Sequence, residues 1–153
     1  MGEVLTSTPL IAGVVIHPLR QIRDQRGAVL HMLRADAPHF EGFGEIYFSM
    51  VLPGAIKAWK RHHEMVMNFA VPVGRIKLAI YDDRLDSPTR GTVQELTIGN
   101  EHYGLVRIPP GVWYGFQGVA EEPSLIANCA TLAHDPLESE SIDAYAENIP
   151  YHW

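Results

Sequence analysis

The chain has 153 residues, 46% of them hydrophobic and 20% charged, and a formal net charge of −6. That length suits one compact domain, 1–153, with a real core, and the composition lies far from the disordered corner. The acidic balance excludes a general grip on nucleic acid, which needs a surplus of Lys and Arg. The lone Cys129 excludes an internal disulfide and suits a reducing compartment, so a cytoplasmic protein is expected. Residues 1–13 lack a basic start and a long apolar run, and no later stretch reaches the roughly 18 apolar residues of a membrane helix, so neither export nor a membrane contact is expected.

Eleven prolines and thirteen glycines, spread along the whole chain, cut it into short segments with the spacing of strands. Strands are expected over residues 13–16, 28–33, 45–51, 55–59, 68–71, 75–81, 93–98, 105–108 and 125–130. The clearest is 75–81, where Ile76, Leu78 and Ile80 alternate with Arg75 and Lys77. Residues 38–43 and 136–140 could each form a short helix, the second because Pro136 is followed by acids in the first turn. About nine short strands predict an all-β barrel or jelly roll. No repeat or linker marks an internal boundary.

Lys57-Ala58-Trp59-Lys60-Arg61-His62-His63-Glu64 is the densest polar cluster. On a regular strand Lys60 and His62 share one face, while Lys57, Trp59, Arg61 and His63 share the other. Three readings are open: a solvated basic edge strand, a divalent-metal site, or an acid–base site. The metal reading is incomplete, because Lys60 stands where a His-x-His pair would have its first imidazole. Downstream, Ile108-Pro109-Pro110-Gly111 leads into Trp113, Tyr114 and Phe116; these rings either stack on a base or sugar or fill the core. His134, before Asp135-Pro136, is either an acid or base at a strand end or a turn residue.

Several motifs recur in the order and spacing of one family. They are Asp24-Gln25-Arg26-Gly27, Gly54-Ala55-Ile56-Lys57-Ala58-Trp59-Lys60, Gly74 through Asp83-Arg84 with Ser87-Pro88-Thr89-Arg90-Gly91, Ile108-Pro109-Pro110-Gly111 with Gly115-Phe116, and Ile149-Pro150-Tyr151-His152-Trp153. Through them the chain resembles the dTDP-4-dehydrorhamnose 3,5-epimerase (RmlC-like cupin) family over nearly its whole length. The resemblance implies a cupin jelly-roll barrel, a homodimer without cofactor or metal, and a nucleotide-diphosphate sugar as ligand. It implies removal of the proton alpha to a 4-keto group, stabilisation of the enolate oxygen, and return of a proton to the other face.

Position by position, the family's catalytic His falls on Lys60, with His62 two residues on. The enolate-steadying lysine falls near Met67, the general-acid tyrosine on His134, and a further His on Tyr114. The resemblance therefore implies His62 as base, Lys60 as cation, His134 as acid and Asp143 as the carboxylate that orients the base. Arg26, Lys57, Arg61 and Arg75 are the expected diphosphate or sugar contacts, Glu45 matches a ligand-touching glutamine, and Trp113 and Tyr114 are the expected stacking rings. Epimerisation at one carbon, at two, or a ketoisomerisation all fit this set. A sugar-nucleotide-binding cupin without activity and a metal-dependent cupin enzyme are the alternatives.

Overall fold

A computed structural model describes residues 5, 6 and 10–153 of the chain; residues 1–4 and 7–9 of the N-terminal segment read above lie outside the described residues. The regular structure of the described residues is almost entirely β-strand. The first strands are β1 (Leu5–Thr6), β2 (Val15–Pro18), β3 (Gln21–Asp24), β4 (Gly27–Leu30), β5 (Glu45–Val51) and β6 (Ile56–His62). They are followed by β7 (Met67–Val73), β8 (Arg75–Tyr81), β9 (Val93–Gly99), β10 (Gly104–Ile108), β11 (Trp113–Gly118), β12 (Ser124–Ala130) and β13 (Ser139–Ser141). A 3₁₀ turn, Pro136–Glu138, precedes β13.

The strands form a six-stranded sheet in the order β1-β9-β8-β11-β6-β13, a five-stranded sheet in the order β2-β10-β7-β12-β5, and the hairpin β3-β4. From β5 onward consecutive strands alternate between the two sheets, except for the β8-β9 hairpin, and the two sheets face each other as in the jelly roll expected from the sequence. Their inner faces supply one apolar core. Ile76, Leu78 and Ile80 of β8 are fully buried there, with Met67, Phe69 and Val71 of β7 and Val106 and Ile108 of β10. Each such side chain removed from water contributes roughly 1.5–3 kcal/mol, which makes this layer the main source of stability.

Strands 45–51 and 75–81 fall where the sequence places them. Residues 38–43 contain no helix, because the run is too short to nucleate one and Gly42 takes a positive φ of 125°, and the second expected helix is reduced to one 3₁₀ turn. Trp113–Gly118 is a strand that is not among those expected from the sequence.

Outside the six-stranded sheet, the C-terminal segment packs against Trp59, Ala79 and Trp113 through Ile149, Tyr151 and Trp153. Trp59 meets Tyr151 edge-on at 5.8 Å and Trp153 at 5.2 Å, and its indole N–H donates to the Ala144 carbonyl at 3.1 Å. The Tyr151 hydroxyl donates to Glu95. Gly115 makes this close layer possible, since a Cβ there would lie 2.3 Å from that of Ala58 and 3.0 Å from the Trp153 ring.

Candidate active site

Where β6 pairs with β11, the register slips: Tyr114 lies opposite Lys60, but the next residue, Gly115, lies opposite Ala58. Trp59 is the extra residue of this bulge, and the slip reverses the alternation of side chains. Lys57 therefore joins Lys60 and His62 on the inner side, while Trp59 and Arg61 face outward. A regular strand would have put Lys57 with Trp59 and Arg61.

The inner side opens on a cavity of about 340 Å³ between the two sheets. One wall carries Lys57, Lys60, Tyr114 and Phe116 of β6 and β11; the other carries Tyr47 and Ser49 of β5, Phe69 of β7 and Asn128 of β12. The inward set on β5 follows from strict alternation, since Glu45, Tyr47 and Ser49 are half-buried and Ile46, Phe48 and Met50 face out. Such a mostly apolar chamber with a few convergent polar groups is the usual form of a small-molecule site.

His62, 6% exposed, is not itself among the lining residues but stacks its ring at 6.1 Å on that of Tyr114, which is. Its Nδ1 lies 2.6 Å from Glu138 Oε1. The other Glu138 oxygen accepts the backbone N–H groups of Glu64 and Met65, each at 2.8 Å. Burial raises the Glu138 pKa, but these two donors and the imidazole outweigh it and hold the carboxyl at about 2. An ionised carboxylate can only accept, so His62 Nδ1 carries the hydrogen. Burial lowers the His62 pKa, with Glu138 opposing and Lys60 and His63 reinforcing the shift. The imidazole is thus neutral near pH 7, with a lone pair on Nε2, which is buried and has no partner in the protein. Lys60, on the same face of β6, adds an ammonium group to the cavity wall.

The carboxylate on His62 is Glu138, where Asp143 was expected. Asp143 instead caps a turn by accepting the Tyr145 N–H at 2.8 Å; the 3₁₀ turn swings Glu138 back over β6 and carries Asp143 past it. His134 lies outside the cavity lining, exposed, with its backbone N–H on Glu45 Oε1 at 2.8 Å. That contact takes Glu45 to the strand end and away from the cavity as well.

Arg61 points outward, donating to Asp83 at 3.2 Å and Glu140 at 2.6 Å. Its guanidinium lies 4.5 Å from the centroid of Trp113, and Trp113 itself is sealed in the outer aromatic layer. Arg75 reaches the Val119 carbonyl at the far end of β8. Arg26 sits in the exposed β3-β4 turn, paired with Asp24 at 2.7 Å. None of these four lines the cavity. Lys57 and Tyr114 do; the Lys57 ammonium donates to the Met50 carbonyl at 2.6 Å and Ser49 Oγ at 3.2 Å.

Sequence reasoning missed Tyr47, Ser49, Asn128 and Glu138. The alternation over 45–51 was a usable signal for the first two, while the place of Glu138 depends on a turn closing over a distant strand. Among the described residues no group of three or more His, Cys, Asp and Glu could hold a metal ion. A divalent ion would find a single imidazole nitrogen here, His62 Nε2, and not the three or four ligands it needs, so the residues present do not fit the metal reading.

No protein-family model matches the chain. It is 39% identical over 145 residues to the Haloferax volcanii protein named "Probable low-salt glycan biosynthesis epimerase Agl13", a match covering 94% of this chain and 90% of that one. It is 30% identical over 146 residues to the Bacillus subtilis spore coat polysaccharide biosynthesis protein SpsL, covering 94% and 97%. The crystal structure of a dTDP sugar isomerase from Desulfovibrio desulfuricans G20 superposes with a TM-score of 0.92 at 50% identity, covering 94% of this chain and 92% of that one. The chain belongs to the RmlC-like cupin family of nucleotide-sugar epimerases. As an RmlC-like epimerase it is a divergent one. No helix among the described residues is long and apolar enough to cross a membrane.

Proposed function

We propose that the cavity takes the 4-keto sugar of a nucleotide diphosphate, dTDP-linked as the name of the Desulfovibrio dTDP sugar isomerase suggests, and that the protein epimerises it in the making of a surface polysaccharide or glycan, as the names of its relatives describe. The observation that carries this reading is the neutral His62, tied through Nδ1 to an ionised Glu138 and left with a spare lone pair beside a cationic cavity wall.

In this reading His62 Nε2 removes the proton alpha to the keto group. The Lys60 ammonium compensates the charge that develops on the enolate oxygen, which is worth most in a site closed to water. Glu138 holds the imidazole in the required tautomer and stabilises the imidazolium once formed. Lys57, at the mouth formed with β5, supplies a cation for the diphosphate. Heavy-water incubation with a panel of dTDP-, GDP- and CDP-linked 4-keto sugars, followed by NMR, tests it. Deuterium should enter a carbon alpha to the ketone, and His62→Ala should slow that entry by about 1,000-fold. Exchange at an unchanged rate in the variant would overturn the reading.

The protein works as a homodimer in the cytoplasm. Supporting the dimer is an apolar stripe on the outer side of β5 and its neighbours, where Phe48 is 61% and Met50 59% exposed beside Ile46, Leu52 and Val73, a patch of the kind that marks association surfaces. Supporting the compartment is a sequence whose single cysteine, the buried Cys129, calls for no disulfide. Light scattering should give twice the chain mass, and Phe48→Glu should lower it toward one chain.

A further inference from the structure

Inversion at carbon needs two protein groups, one on each side of the sugar: the proton leaves one face and returns to the other. His62 and Lys60 both belong to β6 in the six-stranded sheet. The residue expected on the other side, His134, is exposed and outside the cavity. Among the described residues, the wall opposite β6 holds one hydroxyl on a rigid arm, that of Tyr47 on β5.

The Tyr47 oxygen accepts a hydrogen bond from Asn128 Nδ2 at 2.9 Å. The orientation of that amide is fixed, since Asn128 Oδ1 accepts the backbone N–H of Asn68 at 3.2 Å and Asn128 is 2% exposed. Asn128 therefore donates to the phenol and cannot take its proton. Among the described residues no hydrogen bond runs from the Tyr47 hydroxyl to an acceptor, so its hydrogen is free to turn toward a bound ligand. Burial raises the Tyr47 pKa, which keeps the phenol protonated at neutral pH. Tyr114, the other cavity phenol, lies on the same wall as His62 and stacks on it, which disqualifies it as the opposing group.

We infer that Tyr47 is the proton donor that works against His62 from the opposite wall, with Asn128 as its positioning residue; the inference rests on the reading of the site given above. His62 Nε2 takes the proton as the C–H bond breaks, and its electron pair moves to form the enolate. As the enolate collapses, the Tyr47 O–H bond breaks and a new C–H bond forms on the other face. The phenolate regains a proton from water, and the imidazolium returns its own to water, so no oxidant or further reactant is needed.

The test separates removal of the proton from its return. With the same sugar panel in heavy water, Tyr47→Phe should slow inversion by at least about 100-fold. Deuterium exchange with retained configuration should continue within about threefold of the wild-type exchange rate, because His62 is intact. Continued exchange also shows that the variant is folded and binds its ligand. A Tyr47→Phe protein that inverts at the wild-type rate overturns the assignment alone. One that loses exchange and inversion together overturns it as well. A wild type that exchanges none of the sugars overturns the reading of the site and this assignment with it.

Discussion

On the inner side of β6, Lys57, Lys60 and His62 line or abut the cavity, while on its outer side Trp59 is closed under the C-terminal segment and Arg61 lies over Trp113. The same eight-residue run supplies both, and composition does not distinguish them. What differs is whether each group has valence left over. Arg61 spends its guanidinium on Asp83 and Glu140 and its flat face on Trp113. His62 spends one nitrogen on Glu138 and keeps the other. A cation or ring with every partner filled holds the fold; one with a spare lone pair or proton beside a cavity can do chemistry.

The sharpest way to break this contrast is to cut both sides of the strand. His62→Ala should lower turnover by about 1,000-fold and leave thermal unfolding close to wild type, because Glu138 keeps its two backbone donors. Trp113→Ala should do the reverse. Emptying a 3% exposed indole site should cost about 3 kcal/mol of stability, read by denaturant unfolding, with KM for the sugar nucleotide unchanged. A rise in KM without loss of stability would restore Trp113 to the ligand.

Glu138→Gln should have a smaller effect and a diagnostic sign. Turnover should fall by about 100-fold through loss of the orienting charge. Activity requires neutral His62, so it declines as pH falls through the His62 pKa. Glu138 raises that pKa, and its removal should shift the acid limb of kcat/KM to lower pH; a shift to higher pH would refute the pairing. The carboxyl, at about 2 in the folded protein against an ordinary 4.5, contributes stability that is fully present above pH 4.5 and lost as pH falls toward 2. Acid unfolding of Glu138→Gln should lack that decline.

Most of the fold was legible in the sequence because it rests on period-two alternation and turn residues, both local. The strand 75–81 shows why: three core residues and two polar ones specify its faces without help from elsewhere. The site was legible only where residues lie on a strand with its register intact. Lys60 and His62 share a face as expected, but Lys57 reaches it through a bulge at Trp59, which depends on the partner strand and on Gly115. Glu138 reaches His62 across 76 positions of sequence. No spacing rule encodes such a closure, and proximity along the motif favoured Asp143 for a place that the turn geometry denies it.

The smallest effect separates the two histidines themselves. His134 was expected from the resemblance to be the acid, but its side chain is exposed and its backbone N–H is engaged on Glu45. Glu45 is thereby occupied with the start of the loop that follows β12, and the pair works as a clip between strand ends. His134→Ala keeps the backbone N–H, so the clip survives, and both exchange and inversion should remain within about twofold of wild type, the scatter expected of surface substitutions. Glu45→Ala removes the acceptor and should loosen the loop, seen as faster amide exchange around residues 131–135, again without loss of inversion. If His134→Ala abolished inversion while sparing exchange, the acid would have to reach the cavity by a movement of that loop, and the division of labour between the two cavity walls would fall.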